Sequence, residues 1–89
     1  MNRTMMNILA CPIDKNYPLE LFEINEKNDV ISEGLLFCTK CSRFYPIIEE
    51  IPIMLPDELR DKKQEMEFLK NNKNALPEKI ITKSNPWHL

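Results

Sequence analysis

The chain has 89 residues, 43% hydrophobic and 29% charged, with a formal net charge of -2 and a pI near 5.4. Such a chain forms one domain at most, and its acidic balance argues against a broad basic surface that grips nucleic acid unaided. No apolar run is long enough to span a bilayer, and Asn2, Arg3, Thr4 and Asn7 interrupt any signal-like core, so a cytoplasmic protein is expected.

Thr4 is placed to cap a short helix in which Met5, Ile8 and Leu9 share a face. That helix must stop near Cys11-Pro12, because a residue before proline avoids the helical region. Pro18 to Ile24 reads as a strand, Asn25 to Asp29 as a turn and Val30 to Phe37 as a second strand, together a hairpin. Leu19 and Leu21 fall on one side of it, Phe22 and Ile24 on the other. Apolar side chains on both faces call for cover on both: the chain's own helices on one, and another protein on the other.

Cys38-Thr39-Lys40-Cys41 is a turn between two apolar runs, and two thiolates at this spacing form half of a metal knuckle. Cys11-Pro12-Ile13-Asp14 has the shape of the other half, with aspartate where a fourth cysteine would stand. Two readings stay open. Cys11, Asp14, Cys38 and Cys41 hold zinc, or the ribbon is degenerate and its cysteines sit as small buried apolar residues. Thiol redox chemistry at Cys38 and Cys41 would want a helix N-terminus behind the pair, whereas Arg43 to Ile48 reads as a third strand.

Glu49-Glu50 makes a charged turn into Ile51-Pro52-Ile53-Met54-Leu55-Pro56. Prolines at 52 and 56 spoil one edge of this segment, so it should pair inside its own sheet through the edge of Ile51, Ile53 and Leu55. A helix is expected from Asp57 to about Asn72, with a thin stripe of Leu59, Met66 and Leu69. Residues 73–89 read as a tail that docks on the domain or on a partner, with an apolar piece at Ile80-Ile81 and Trp87 near its end. The predicted architecture is α+β. Residues 1–72 form a small four-stranded antiparallel, zinc-ribbon-like sheet with a short N-terminal helix and a C-terminal helix.

The single glycine, Gly34, excludes a glycine-rich phosphate loop; the single histidine, His88, stands next to the C-terminus, no Ser/His/Asp set is evident, and there is no second histidine to act as a base beside a cysteine. A chain without catalytic apparatus points to a binding or accessory role. Phe44, Tyr45, Ile47, Ile53, Met54 and Leu55 are then either core or a partner patch, and Trp87 is either docked on its own domain or a binding anchor.

The motifs Ile8 to Asp14, Glu33-Gly34-Leu35-Leu36, Cys38 to Cys41, Phe44-Tyr45-Pro46-Ile47 and Ile51 to Pro56 together resemble the Trm-type methyltransferase activator family, in its compact archaeal-type form. The resemblance covers roughly residues 5 to 60. It implies a non-enzymatic subunit that stabilises class I S-adenosylmethionine-dependent methyltransferases acting on tRNA, rRNA or translation factors. By that resemblance the subunit forms a heterodimer, covers an apolar surface of the enzyme and extends its sheet. The S-adenosylmethionine belongs to the partner, and nucleic acid is met only through the partner. The implied metal ligands are Cys11, Asp14, Cys38 and Cys41, for zinc. The implied partner surface is Phe44, Tyr45, Pro46, Ile47, Ile51, Ile53, Met54 and Leu55, with Trp87 on the tail. The competing classes are a free-standing zinc-ribbon module that binds nucleic acid and a small C-x-x-C thiol oxidoreductase.

Overall fold

Alternation of apolar residues along the hairpin decides which side chains meet. In the computed structural model, which describes residues 1–89, β1 (Glu20–Lys27) pairs antiparallel with β2 (Val30–Phe37), and β2 pairs with β3 (Phe44–Ile48). A short β4 (Ile51–Pro52) completes a four-stranded sheet in the order β1-β2-β3-β4. The β1–β2 turn is tighter than expected: Asn28 and Asp29 alone make it, both at positive φ (53° and 64°), as a two-residue hairpin of this twist requires. Glu49 and Glu50 do the same between β3 and β4, at φ 50° and 70°.

One sheet face carries Leu36, Tyr45 and Ile47 and packs with Leu19 and Cys11; Met5, Leu9 and Leu21 lean against it. The opposite face carries Leu35, Phe37 and Phe44, with Phe22, Ile24 and Ile48 against them. The expected division of the hairpin's apolar residues therefore holds. The expectation of an outside protein over one face does not. The N-terminal segment covers the first face, and Phe68, Leu69, Leu76, Ile80 and Ile81 from the C-terminal part cover the second.

Three local assignments change. The N-terminal helix is a 3-10 turn over Arg3–Asn7, capped by Asn2, whose side-chain oxygen accepts from the Thr4 N–H at 2.9 Å. Ile8 lies beyond it and is 77% exposed. The helix expected from Asp57 is interrupted. A 3-10 turn over Asp57–Leu59 gives way to extended backbone at Arg60, and α1 (Lys62–Asn71) starts afresh with Asp61 as its cap. The cause is Arg60, whose guanidinium turns inward. It donates to the carbonyls of Phe44 (2.7 Å) and Leu55 (3.2 Å) and pairs with buried Glu65 at 3.0 Å. Finally, residues 73–89 contain a second helix, α2 (Glu78–Lys83), whose Ile80 and Ile81 belong to the core.

The segment after Glu50 pairs inward as its prolines require: the Ile53 N–H donates to the Pro46 carbonyl at 2.8 Å. Pairing stops there. The next rung on β3, at Phe44, gives its N–H to the Asn85 carbonyl (3.2 Å) and takes the Arg60 guanidinium on its own carbonyl. No helix is long and apolar enough to cross a membrane.

Candidate metal centre

Two turns of the same construction bring the ligand atoms together. In the first, the Cys11 N–H donates to the Asn16 carbonyl (3.0 Å) and the Lys15 N–H donates back to the Cys11 carbonyl (2.8 Å), with Lys15 at φ 61°. In the second, the Cys38 N–H donates to the Arg43 carbonyl (2.9 Å) and the Ser42 N–H donates back to the Cys38 carbonyl (2.8 Å), with Ser42 at φ 62°. Each turn needs a left-handed residue at the same step, and neither uses glycine there. Cysteine opens both turns, and the residue three further on is Asp14 in one and Cys41 in the other.

The four ligand groups lie within 4.8 Å of one another. Cys11 Sγ is 3.7 Å from Cys41 Sγ, and Cys38 Sγ is 3.5 Å from Asp14 Oδ2. Tetrahedral zinc with bonds of about 2.3 Å to sulfur and about 2.1 Å to oxygen sets edges of about 3.8 Å for S···S and about 3.5 Å for S···O. These two edges of the cluster match a tetrahedral site, all four groups lie close enough to share one ion, and zinc accepts thiolate and carboxylate ligands together.

The surroundings favour a charged ligand at position 14. The Asn16 N–H donates to Asp14 Oδ1 at 2.9 Å, and this bond, aided by the three thiols, holds the carboxyl down at about 2. The Tyr45 hydroxyl lies 3.0 Å from Cys11 Sγ and can donate to the thiolate. Burial, then the contact with Cys11, pushes the Tyr45 phenol well above its ordinary value, so it stays a donor. Tyr45 is the outer support that sequence reading missed. Its place beside Cys11 comes from the register of β3 against β2, and no local motif marks it.

The same geometry weighs against thiol redox chemistry. Cys38 and Cys41 lie on a turn leading into β3, with no helix behind them. In the metal-free chain burial lifts the Cys41 thiol to about 11, opposite to what a reactive thiolate needs.

The residues read as a partner surface divide. Phe44, Tyr45, Pro46 and Ile47 are fully buried among the chain's own residues and present no side chain outward, because both faces of the sheet are covered from within. Ile51 is 60% exposed, and Ile53, Met54 and Leu55 are half-buried. Leu59, 64% exposed, continues this ribbon and was expected instead on the helix stripe. Trp87 is half-buried against the second core face, with its indole N–H inside.

Comparison with known proteins bears on both turns. The Trm112 methyltransferase activator of Haloferax volcanii, solved in complex with a candidate methyltransferase, superimposes with a TM-score of 0.63 at 40% identity; the match covers all of that chain and 67% of this one. UPF0434 proteins of Methylobacillus flagellatus and Ectopseudomonas mendocina are 40% and 42% identical over 60 residues, which span 85% and 84% of those proteins. The profile described as Trm112p-like protein matches residues 2–50, a stretch that holds both turns and all four ligand residues. The chain thus belongs to the Trm112p-like family.

Proposed function

We propose that this protein is the non-catalytic activating subunit of class I S-adenosylmethionine-dependent methyltransferases that act on tRNA, rRNA or translation factors in the cytoplasm. The observation that carries the reading is the likeness of 67% of this chain to the whole of the activator chain in the Haloferax volcanii complex. On this reading the methyl donor and the chemistry belong to the partner, and this chain supplies a surface. That surface is the ribbon from Ile51 to Leu59 along the outer edge of β4. Ile51 and Leu59 are exposed there, and because Pro52 and Pro56 remove two of the outward N–H groups the surface acts through these side chains. Covering it on the enzyme stabilises both chains by mass action.

In the same reading Cys11, Asp14, Cys38 and Cys41 hold a structural zinc. The ion ties the N-terminal segment to the β2–β3 turn. A chain of this size gains much of its rigidity from such a staple.

The test is purification of a tagged copy from a co-expressing host, with the bound chain identified by mass spectrometry and weighed by light scattering. A methyltransferase at one-to-one stoichiometry is expected from the wild type and lost from an Ile51→Asp, Leu59→Asp double variant that keeps its fold. Recovery of the wild type without any methyltransferase overturns the proposal.

A further inference from the structure

The second metal turn is held from outside by a residue distant in sequence. The Asn85 N–H donates to the Ser42 carbonyl at 2.8 Å, Asn85 Nδ2 donates to the Cys41 carbonyl at 2.9 Å, and the Asn85 carbonyl accepts from the Phe44 N–H at 3.2 Å. Three bonds from one residue thus span the exit of the turn. Asn85 is itself fixed from behind. The buried Ser84 hydroxyl donates to the Ile80 carbonyl (2.6 Å) and lies 3.2 Å from the Trp87 carbonyl, and the Leu89 N–H donates to the Ile81 carbonyl at 2.9 Å. The first turn has no such clamp on its carbonyls, and Tyr45 reaches only the Cys11 sulfur there. There the Asp14 carboxylate takes the Asn16 N–H within the turn, a bond that Cys41 at the matching position lacks a carboxylate to make. Cys41 is also the one cysteine of the three that is only half-buried.

We propose that Asn85 is a positioning residue for the metal centre, and that metal loading and docking of the C-terminal segment are thereby coupled. A metal that fixes Cys41 also fixes the two carbonyls that receive Asn85. A docked Asn85 in turn holds Cys41 at its ligand position, and such coupling is reciprocal. The family profile ends at residue 50, so the clamp is built from a part of this chain outside the matched region. The inference rests on the zinc reading above, and Trp87, the single tryptophan, reports on it two residues away.

The experiment titrates the full-length apo protein with zinc against a chromophoric chelator while following Trp87 emission. In the wild type the emission is expected to move to shorter wavelength along the same curve as zinc uptake. Asn85→Ala and the near-isosteric Asn85→Asp each remove the Nδ2 donor at an exposed position. Both should weaken zinc binding about three- to tenfold, the loss of one hydrogen bond, and blunt the emission change. Cobalt spectra of the loaded variants should match the wild type, since the ligands are unchanged. Lys83→Ala, on α2 but outside the clamp, should behave as the wild type. Zinc binding with unaltered affinity in both Asn85 variants, or emission indifferent to zinc in the wild type, overturns the coupling. A wild type that takes up no zinc overturns the metal reading, and the coupling with it.

Discussion

Replacing Arg60 with methionine should remove a large share of the stability of this domain. Arg60 and Glu65 pair at 3.0 Å with side chains only 1% and 2% exposed. The guanidinium also lies 4.6 Å over the Tyr45 ring and closes the carbonyls of Phe44 and Leu55. Burial outweighs Arg60 at Glu65 and already holds that carboxyl above its ordinary range, with the partner in place. Taking the cation away leaves a buried, uncompensated carboxylate, which costs about 3–5 kcal/mol, in a domain whose whole stability is about 5–15 kcal/mol. In urea, with a slope of about 1.5–2 kcal/mol per molar, a loss of about 4 kcal/mol moves the midpoint by about 2–3 M. Trp87 emission serves as the probe. The double variant Arg60→Met, Glu65→Leu removes both charges and should recover the larger part of the loss. A second signature lies in pH. In the single variant Glu65 has a folded pKa raised above its unfolded value, so stability is fullest below the unfolded pKa and is lost as pH rises through the folded one. The single variant should therefore gain on the wild type as the solution is acidified. A single variant within about 1 kcal/mol of the wild type would refute the reasoning, because the ordinary penalty for a stranded buried charge would be missing. A double variant no better than the single one would move the cost from the ion pair to the two carbonyls.

Other perturbations test other links. Gly34→Ala places a Cβ 2.8 Å from the Phe22 carbonyl oxygen and 3.3 Å from Ile31, so the β1–β2 backbone must shift; a loss of about 2 kcal/mol is expected, read as a fall of about 10 °C in Tm. Glu49→Asn with Glu50→Gly suits the positive φ angles of the β3–β4 turn, and should add about 1 kcal/mol, with Tm rising by about 4–8 °C. Asp14→Cys should tighten zinc about tenfold or more by completing a four-thiolate site, measured by chelator competition. Without metal, the Asp14 carboxyl is held at about 2 against an ordinary 3.8. Its stabilising effect is thus present above the ordinary value and lost as pH falls through the folded one, and Asp14→Asn should flatten the acid limb of the stability profile.

The hairpin, the two turns and the inward pairing of Ile53 were legible because each depends on local pattern: alternation, the spacing of two cysteines, the missing N–H of proline. That Cys11, Asp14, Cys38 and Cys41 would converge was legible for the same reason. What escaped came from contacts across the chain. Arg60 looks like an ordinary polar residue in a helical run, yet its burial breaks that run into a 3-10 turn and α1, because β3 offers an open carbonyl at Phe44. The tail reads as docking on the domain or on a partner, and its helix was not legible because its apolar residues are few. Leu76, Ile80 and Ile81 suffice once Leu35, Phe37 and Phe44 form a flat face for them to meet. Neither Tyr45 beside Cys11 nor Asn85 on the second turn carries any local mark, since each is placed by another element's register.

That same self-covering narrows where a partner can bind. An apolar two-faced sheet in so short a chain suggested that a partner supplies one layer of the core. Here Phe68, Leu69, Leu76, Ile80 and Ile81 supply it, and at about 2 kcal/mol for each buried side chain their layer is worth about 10 kcal/mol. A micromolar complex gains about 8 kcal/mol and a nanomolar one about 12, so a partner that first had to strip this layer would keep almost none of its affinity. Docking is therefore cheapest where nothing must be displaced, at the exposed side chains of Ile51 and Leu59. The two routes differ in one observable. Binding at the ribbon leaves the amides of α2 and Leu89 as protected from hydrogen exchange in the complex as in the free chain, whereas binding at the sheet face would expose them. Loss of protection along α2 on complex formation would refute the ribbon and return Phe44 to the interface.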